Sequence, residues 1–263
     1  MNVIVCMKQV PDTETLIKIK PDGSGIMTDD IKYVMNPYCE FAVEEALRIK
    51  EKFGGQAILV TMGPQRAVEA LRTGLAMGVD RSIHLNDPAF EGADGLATAR
   101  ALAEVIKKES FDLILCGKQA VDDDLAQVGP SLAELLSLPH AVLITKLELF
   151  PDKKKAKVER EVEGGHEVVE VNLPAVFTCK KGLNEPRYAS LPGIMKAKKK
   201  EVKPVNLADL GLPADQVGAA GSKTKILRYL PPPSRPSGKI LSGEVLDAAK
   251  DLVRLLREEA KVI

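Results

Sequence analysis

Residues Phe111 to Pro130 read FDLILCGKQAVDDDLAQVGP. Leu113, Ile114 and Leu115 form a short apolar run of the kind a buried strand uses. The run breaks at Gly117, crosses a polar loop, and returns to helical spacing with Leu125, Val128, Leu132 and Leu135. In a parallel α/β sheet such a turn sits at the carboxyl edge of the strands, where ligands bind. The backbone N–H groups that open the following helix are unpaired and partly positive, so they favour a phosphate. An ordinary strand-to-helix turn, its aspartates capping the helix, is the other reading of the same residues. No glycine-rich P-loop or GxGxxG pattern decides between them locally.

Upstream, strands and helices alternate. Asn2 to Met7 reads as the first strand, and Pro11-Asp12 breaks it. Ile17 to Lys20 and Gly25 to Thr28 flank PDGSG, a hairpin signal. Asn36-Pro37 starts a helix, with Asn36 as cap, Glu40, Glu44 and Glu45 near its positive end, and Gly54-Gly55 closing it. Ala57 to Met62 is a strand, Val68, Leu71 and Leu75 mark a helix closed by Gly78, Arg81 to Leu85 is a strand, and Leu96 to Ile106 a helix. The helix after the opening stretch runs to about Leu136. Such alternation predicts a right-handed, mostly parallel α/β sheet of nucleotide-binding type.

Downstream the pattern changes. Ala141 to Leu149, Ala156 to Glu163 and His166 to Leu173 read as successive strands about a Gly164-Gly165 turn, with Ala175 to Thr178 another. From Asn184 the chain is polar and basic, with no obvious core pattern until Gly243. Pro231, Pro232, Pro233 and Pro236 favour an extended arm. It ends in a helix from Glu244 to Glu259 with Val245, Leu246, Ala249, Leu252, Val253 and Leu256 on one side. An arm with so little core of its own is expected to lie on a partner chain.

Lys+Arg and Asp+Glu both total 37, so global charge gives no argument for nucleic acid. No apolar run approaches the roughly 20 residues of a membrane span, so no integral membrane protein is expected. MNVIVCMKQV lacks a basic leader and a small-residue cleavage site, and reads as a strand rather than a signal peptide. Cys6, Cys39, Cys116 and Cys179 are far apart, without metal-ligand spacing. They are expected to be structural or pocket-lining thiols in a reducing cytoplasm. His84, His140 and His166 are scattered, and no catalytic constellation is visible. Asp122-Asp123-Asp124 could hold Mg²⁺, but three adjacent acids do not point into one site unaided. One capping the helix and two facing solvent is the expected arrangement. In Asn184 to Lys200, Leu191, Ile194 and Met195 precede Lys196, Lys198, Lys199 and Lys200. This is either a solvated basic loop or a protruding apolar anchor beside lysines that steer it to an acidic surface.

Five stretches together resemble the β subunits of electron-transfer flavoproteins: Val5 to Thr13 (VCMKQVPDT), MNPYCEFAVEEALRIKE (35–51), TMGP…ALRTGLAMGVDR (61–81), CGKQAVDDDLAQ (116–127) and NEPRYASLPGIMKAKKK (184–200). The resemblance implies a mostly parallel sheet flanked by helices, adenine-nucleotide α-hydrolase-like, with a β-hairpin extension. Residues 1–200 would form the nucleotide-binding domain, including a recognition loop at 184–200, and residues 201–263 an arm and helix docking on an α subunit. It implies a heterodimer whose α subunit holds most of the FAD. The heterodimer would take electrons from flavin dehydrogenases of the acyl-CoA dehydrogenase type, as in fatty acid oxidation, and pass them to a quinone oxidoreductase or similar acceptor.

By motif match, a structural AMP would lie against Cys6, Asn36, Pro37, Tyr38, Cys39, Met62, Gly117, Lys118, Gln119, Ala120, Val121, Asp122, Asp123, Ala126, Gln127 and Val128. Leu191 matches the anchor of the dehydrogenase-recognition loop, which also holds Ile194, Met195, Lys196, Lys198, Lys199 and Lys200. Glu161 matches an acidic residue contacting the mobile flavin domain. Two departures stand out. Ala126-Gln127-Val128 replaces the Asn-Gln-Thr typical of AMP binders, as in electron-bifurcating relatives that hold a second FAD. Those relatives carry Asp-Gly-Asp-Thr where this chain has Asp122-Asp123-Asp124-Leu125, and a carboxylate at Asp123 is expected to repel a second phosphate. The aromatic near the flavin around Thr13 is absent, leaving Tyr38 for any flavin contact. A stand-alone adenine-nucleotide-binding regulator would leave the recognition loop unexplained.

Overall fold

A computed structural model describes residues 1–234 and 237–263. Strands β1 (Val3–Cys6), β4 (Ala57–Met62), β5 (Arg81–Leu85) and β6 (Leu113–Gly117) pair in parallel, in the order β5-β4-β1-β6. Val3, Ile4 and Val5 are wholly buried, because a central parallel strand is covered on both faces and needs an unbroken apolar run. Successive side chains then serve opposite layers. Val3, Val5, Leu113 and Leu115 pack under helices α1 (Pro37–Phe53) and α2 (Ala67–Met77). Ile4, Cys6, Ile114 and Cys116 pack under α3 (Gly95–Ile106) and α4 (Val128–Leu135).

The later strands join the same sheet. β10 (Ala175–Cys179) lies parallel beside β6, and β7 (His140–Leu149) starts parallel beside β10. β7 continues antiparallel with β8 (Lys155–Val162), and β8 with β9 (Gly165–Asn172) across the Gly164 turn, where φ is +80°. The expected break in pattern after residue 137 is therefore an antiparallel extension of one nine-stranded sheet.

Two expectations need correction. The hairpin at 17–28 shrinks to a single bridge, Ile19 to Ile26, since its exposed strands have no sheet face to bury. A short antiparallel pair forms instead at its base, β2 (Gln9–Pro11) with β3 (Tyr33–Met35), too brief to show alternation in sequence. The body also does not stop at residue 200. After helix α5 (Leu191–Ala197), strand β11 (Val202–Val205) pairs with β5 at the sheet edge, where Pro204 is tolerated. Leu210, at the end of α6 (Leu207–Leu210), and Val217, before α7 (Gly218–Gly221), are buried in the core.

Beyond Ser222 the chain is an arm. It touches the hairpin where the Tyr229 N–H donates to the Gly23 carbonyl at 2.9 Å. It ends in α8 (Val245–Glu258), none of whose described residues is buried, although Leu246, Leu252 and Val253 are large and apolar. Pro236 lies outside the described residues. No helix among the described residues is long and apolar enough to cross a membrane.

Candidate functional site

The connection after β4 and β5 runs to one side of β1, and β6 then opens the other side, so the sheet has its topological switch between β1 and β6. At the carboxyl ends of these strands lies a cleft of about 1220 Å³. Cys6 ends β1, Met62 ends β4, Asn86 follows β5, and Cys116 and Gly117 end β6, all at its wall. Phe90, Leu102 and Val128 add apolar surface, and Thr98 and Gln127 add polar groups.

Of the site residues expected from sequence, Cys6, Asn36, Cys39, Met62, Gly117, Lys118, Gln119, Ala120, Asp123, Ala126, Gln127 and Val128 line this cleft. Pro37, Tyr38, Val121 and Asp122 sit beside it. Pro37 is the first residue of α1, and the Tyr38 ring lies under the Lys118 ammonium, 4.9 Å from its centroid.

Asn36 does not cap α1 with its side chain. It is 1% exposed and reaches across to the loop after β6. Its Nδ2 donates to the Gln119 carbonyl at 2.8 Å, and its Oδ1 accepts from the Val121 N–H at 3.0 Å. Nor do the aspartates cap α4. The Lys8 ammonium donates to both Asp122 and Asp123 at 2.8 Å. Burial pushes Lys8 down, but the two carboxylates outweigh it and hold the ammonium above the usual lysine range. Gln119 Nε2 donates to Asp124. Helix α4 starts at Val128 rather than Leu125, because Asp124 and Ala126 take φ of +52° and +53° and interrupt the helical path. Leu125 is exposed in the loop. The start of α4 has no side-chain cap, which leaves its first N–H groups for a ligand.

Sequence reading missed the far wall. Lys223 to Ile226 line the cleft, and Asp94 ties them there. Its carboxylate accepts from Ala97 N–H at 2.9 Å, capping α3, and from Lys223 N–H at 2.7 Å and Thr224 N–H at 3.1 Å. Burial pushes that carboxyl up, and these donors outweigh it to leave Asp94 below the usual range. The only sequence signal was the Asp94-Gly95 helix start; its contacts 129 and 130 residues away carry none. Burial raises the Cys39 thiol, while hydrogen bonding to Cys6 and burial raise that of Cys116.

The 184–200 segment forms a second feature, tied down at both ends. Asn184 Nδ2 donates to Glu45 at 2.9 Å, and Arg187 grips Glu44 on α1 with Nε at 2.8 Å and Nη2 at 3.0 Å. At the far end Arg72 of α2 donates to the Ala197 and Lys200 carbonyls. Gly193 lets α5 approach α2: a Cβ there would lie 2.3 Å from the Ala76 carbonyl oxygen. Between these anchors Tyr188, Leu191, Ile194 and Met195 are exposed, Leu191 at 81%. Lys200 is a correction. Its ammonium donates to the Leu75 and Val79 carbonyls at the end of α2 and faces the body, not a partner. Glu161 is ion-paired with Lys180 and half exposed on β8.

Arg187→Ala is expected to leave Glu44, whose side chain is 4% exposed, without its main partner. The cost is about 2 kcal/mol, below that of a fully buried pair because the Arg187 side chain is 35% exposed. Thermal unfolding would check it; an unchanged Tm would mean the pair contributes nothing. Burial pushes Glu44 up, but Arg187 and Arg48 outweigh it and hold the carboxyl below its usual range. The stabilisation is thus complete above the unfolded-state value, about 4.3, and is lost as pH falls through the lower folded value. In Arg187→Ala that acid-side loss should be smaller.

The electron transfer flavoprotein domain model matches residues 24–210. The electron transfer flavoprotein subunit beta of Bacillus subtilis is 45% identical over 264 residues, covering 100% of each chain. The subunit beta of Thermoanaerobacterium thermosaccharolyticum is 42% identical over 257 residues, covering 97% of this chain and 98% of that protein. The human subunit beta is 42% identical over 265 residues, covering 100% and 99%.

Proposed function

The chain belongs to the electron transfer flavoprotein family, among its β subunits, and from that premise we propose that it pairs with an α subunit as an electron carrier. The heterodimer takes electrons from flavin dehydrogenases of the acyl-CoA dehydrogenase type and delivers them to a quinone oxidoreductase or similar acceptor. FAD, held mainly by the α subunit, supplies the redox chemistry; this chain positions and selects partners. The observation that carries the reading is the recognition segment, an apolar tip at Tyr188, Leu191 and Met195 on a loop fastened to α1 and α2. Lys196, Lys198 and Lys199 stand beside that tip to steer an acidic partner. Glu161 is assigned to the flavin domain, and the exposed apolar face of α8 to the α subunit. Four free, buried cysteines suit a reducing cytoplasm.

The cleft fits an adenine nucleotide, and we assign it AMP. Met62, Phe90 and Leu102 offer apolar surface to a base, and the uncapped start of α4 offers N–H groups to a phosphate. A second FAD is the other reading, and two observations favour it. Asp123 is matched by Lys8 at 2.8 Å, so its carboxylate repels a second phosphate less than its sequence suggests. Its backbone is also not in the left-handed region, so glycine is not demanded there.

The test is to purify the chain with its α partner, denature the complex, and quantify the released nucleotides by mass. One FAD and one AMP per heterodimer is expected. Two FAD and no AMP would overturn the AMP assignment, and failure to associate with any α subunit would overturn the carrier reading.

A further inference from the structure

Cys6 and Cys116 are register partners on adjacent parallel strands. Both side chains fall in the same core layer, and both line the cleft floor, 6% and 4% exposed. Neighbouring strands lie about 4.8 Å apart, within the ~4.4–6.8 Å between the α-carbons of a disulfide, so the two thiols stand within reach of one bridge. A single atom between the sulfurs makes such a bridge with a longer span than a direct S–S bond. The other two cysteines lie in the opposite core layer: Cys39, which accepts from Asn36 Nδ2 at 3.4 Å, and Cys179 on β10.

We propose that Cys6 and Cys116 form a dithiol site at the floor of the cleft that chelates a trivalent arsenical through one bridging arsenic atom. With an organoarsenic oxide the two S–H bonds and the arsenic–oxygen bond break, and two arsenic–sulfur bonds form. The oxygen leaves as water with both thiol protons, and nothing is oxidised or reduced. Cys116 keeps its proton until this exchange, since hydrogen bonding to Cys6 and burial both favour the thiol. The arsenic then occupies the wall where Cys6, Met62 and Gly117 meet, so it competes with whatever fills the cleft.

The probe is phenylarsine oxide on the purified full chain, read by intact mass. One arsenical per chain is expected, and digestion should show Cys6 and Cys116 shielded from iodoacetamide. Cys6→Ser and Cys116→Ser should each slow uptake at least tenfold, while Cys39→Ser and Cys179→Ser leave it unchanged. Should a serine variant fail to fold, the shielding map of the unaltered chain still decides the matter. Uptake that survives Cys6→Ser, or shielding of any other pair, would overturn the proposal. Added AMP should slow uptake. An adduct that forms equally fast with and without AMP would overturn AMP binding in the cleft while leaving the dithiol intact.

Discussion

Leu191→Ala should slow reduction of the flavoprotein by a partner dehydrogenase roughly 30-fold at sub-saturating concentrations, as expected for removal of an apolar anchor worth about 2 kcal/mol. The effect should fall on association, because Leu191 is 81% exposed in the free chain and contributes no core packing. Its neighbours stay in place: Ser190 still accepts from the Gly193 N–H at 3.1 Å, and Arg72 and Arg187 still hold the two ends of the segment. Stability should move by less than about 0.5 kcal/mol, and FAD content should be unchanged. Stopped-flow reduction across dehydrogenase concentrations separates these terms. Rates equal to those of the unaltered protein would remove Leu191 from the docking surface.

Asn36→Ala should cost the cleft its ligand. The side chain is the cross-brace between the start of α1 and the loop after β6, and alanine leaves the Gln119 carbonyl and Val121 N–H without that partner. About 2 kcal/mol of stability is expected to go with them. The larger effect is on retention, since the Gln119–Gln127 loop leads into the start of α4 and carries two non-glycine residues with positive φ. Backbone held in that region persists only while its surroundings enforce it. Nucleotide recovered per heterodimer should fall at least tenfold. Asn36→Asp separates the two bonds: it keeps an acceptor for Val121 but sets a carboxylate against the Gln119 carbonyl. Full retention in Asn36→Ala would show that the loop holds its shape without the brace.

Both predictions depend on contacts whose two halves are distant in sequence. The sequence by itself determined most of the longer elements up to β10. Ala57 to Met62 and Arg81 to Leu85 are strands with the expected bounds, and Gly78 closes α2 as expected. Period and punctuation are local properties, readable in a short window. The same holds for the alternation that implies a parallel sheet, and for the exposed stripe of α8, which has nothing within its own arm to pack against.

Only the tertiary structure decided where the elements go and what their polar groups do. The place of β10 between β6 and β7, and of β11 on β5, depends on which edges remain free once the central strands have paired. Asn36 read locally as a helix cap, yet its partners lie 83 and 85 residues away. Asp122 and Asp123 read as a cap and solvated acids, yet Lys8 stands between them from more than a hundred residues upstream. Lys200 read as the last of a steering cluster, yet the end of α2 brings the Leu75 and Val79 carbonyl oxygens within its reach. A hydrogen-bonding side chain takes the partner that burial brings within reach, and that choice is made by the packed sheet rather than by the residues beside it in the chain.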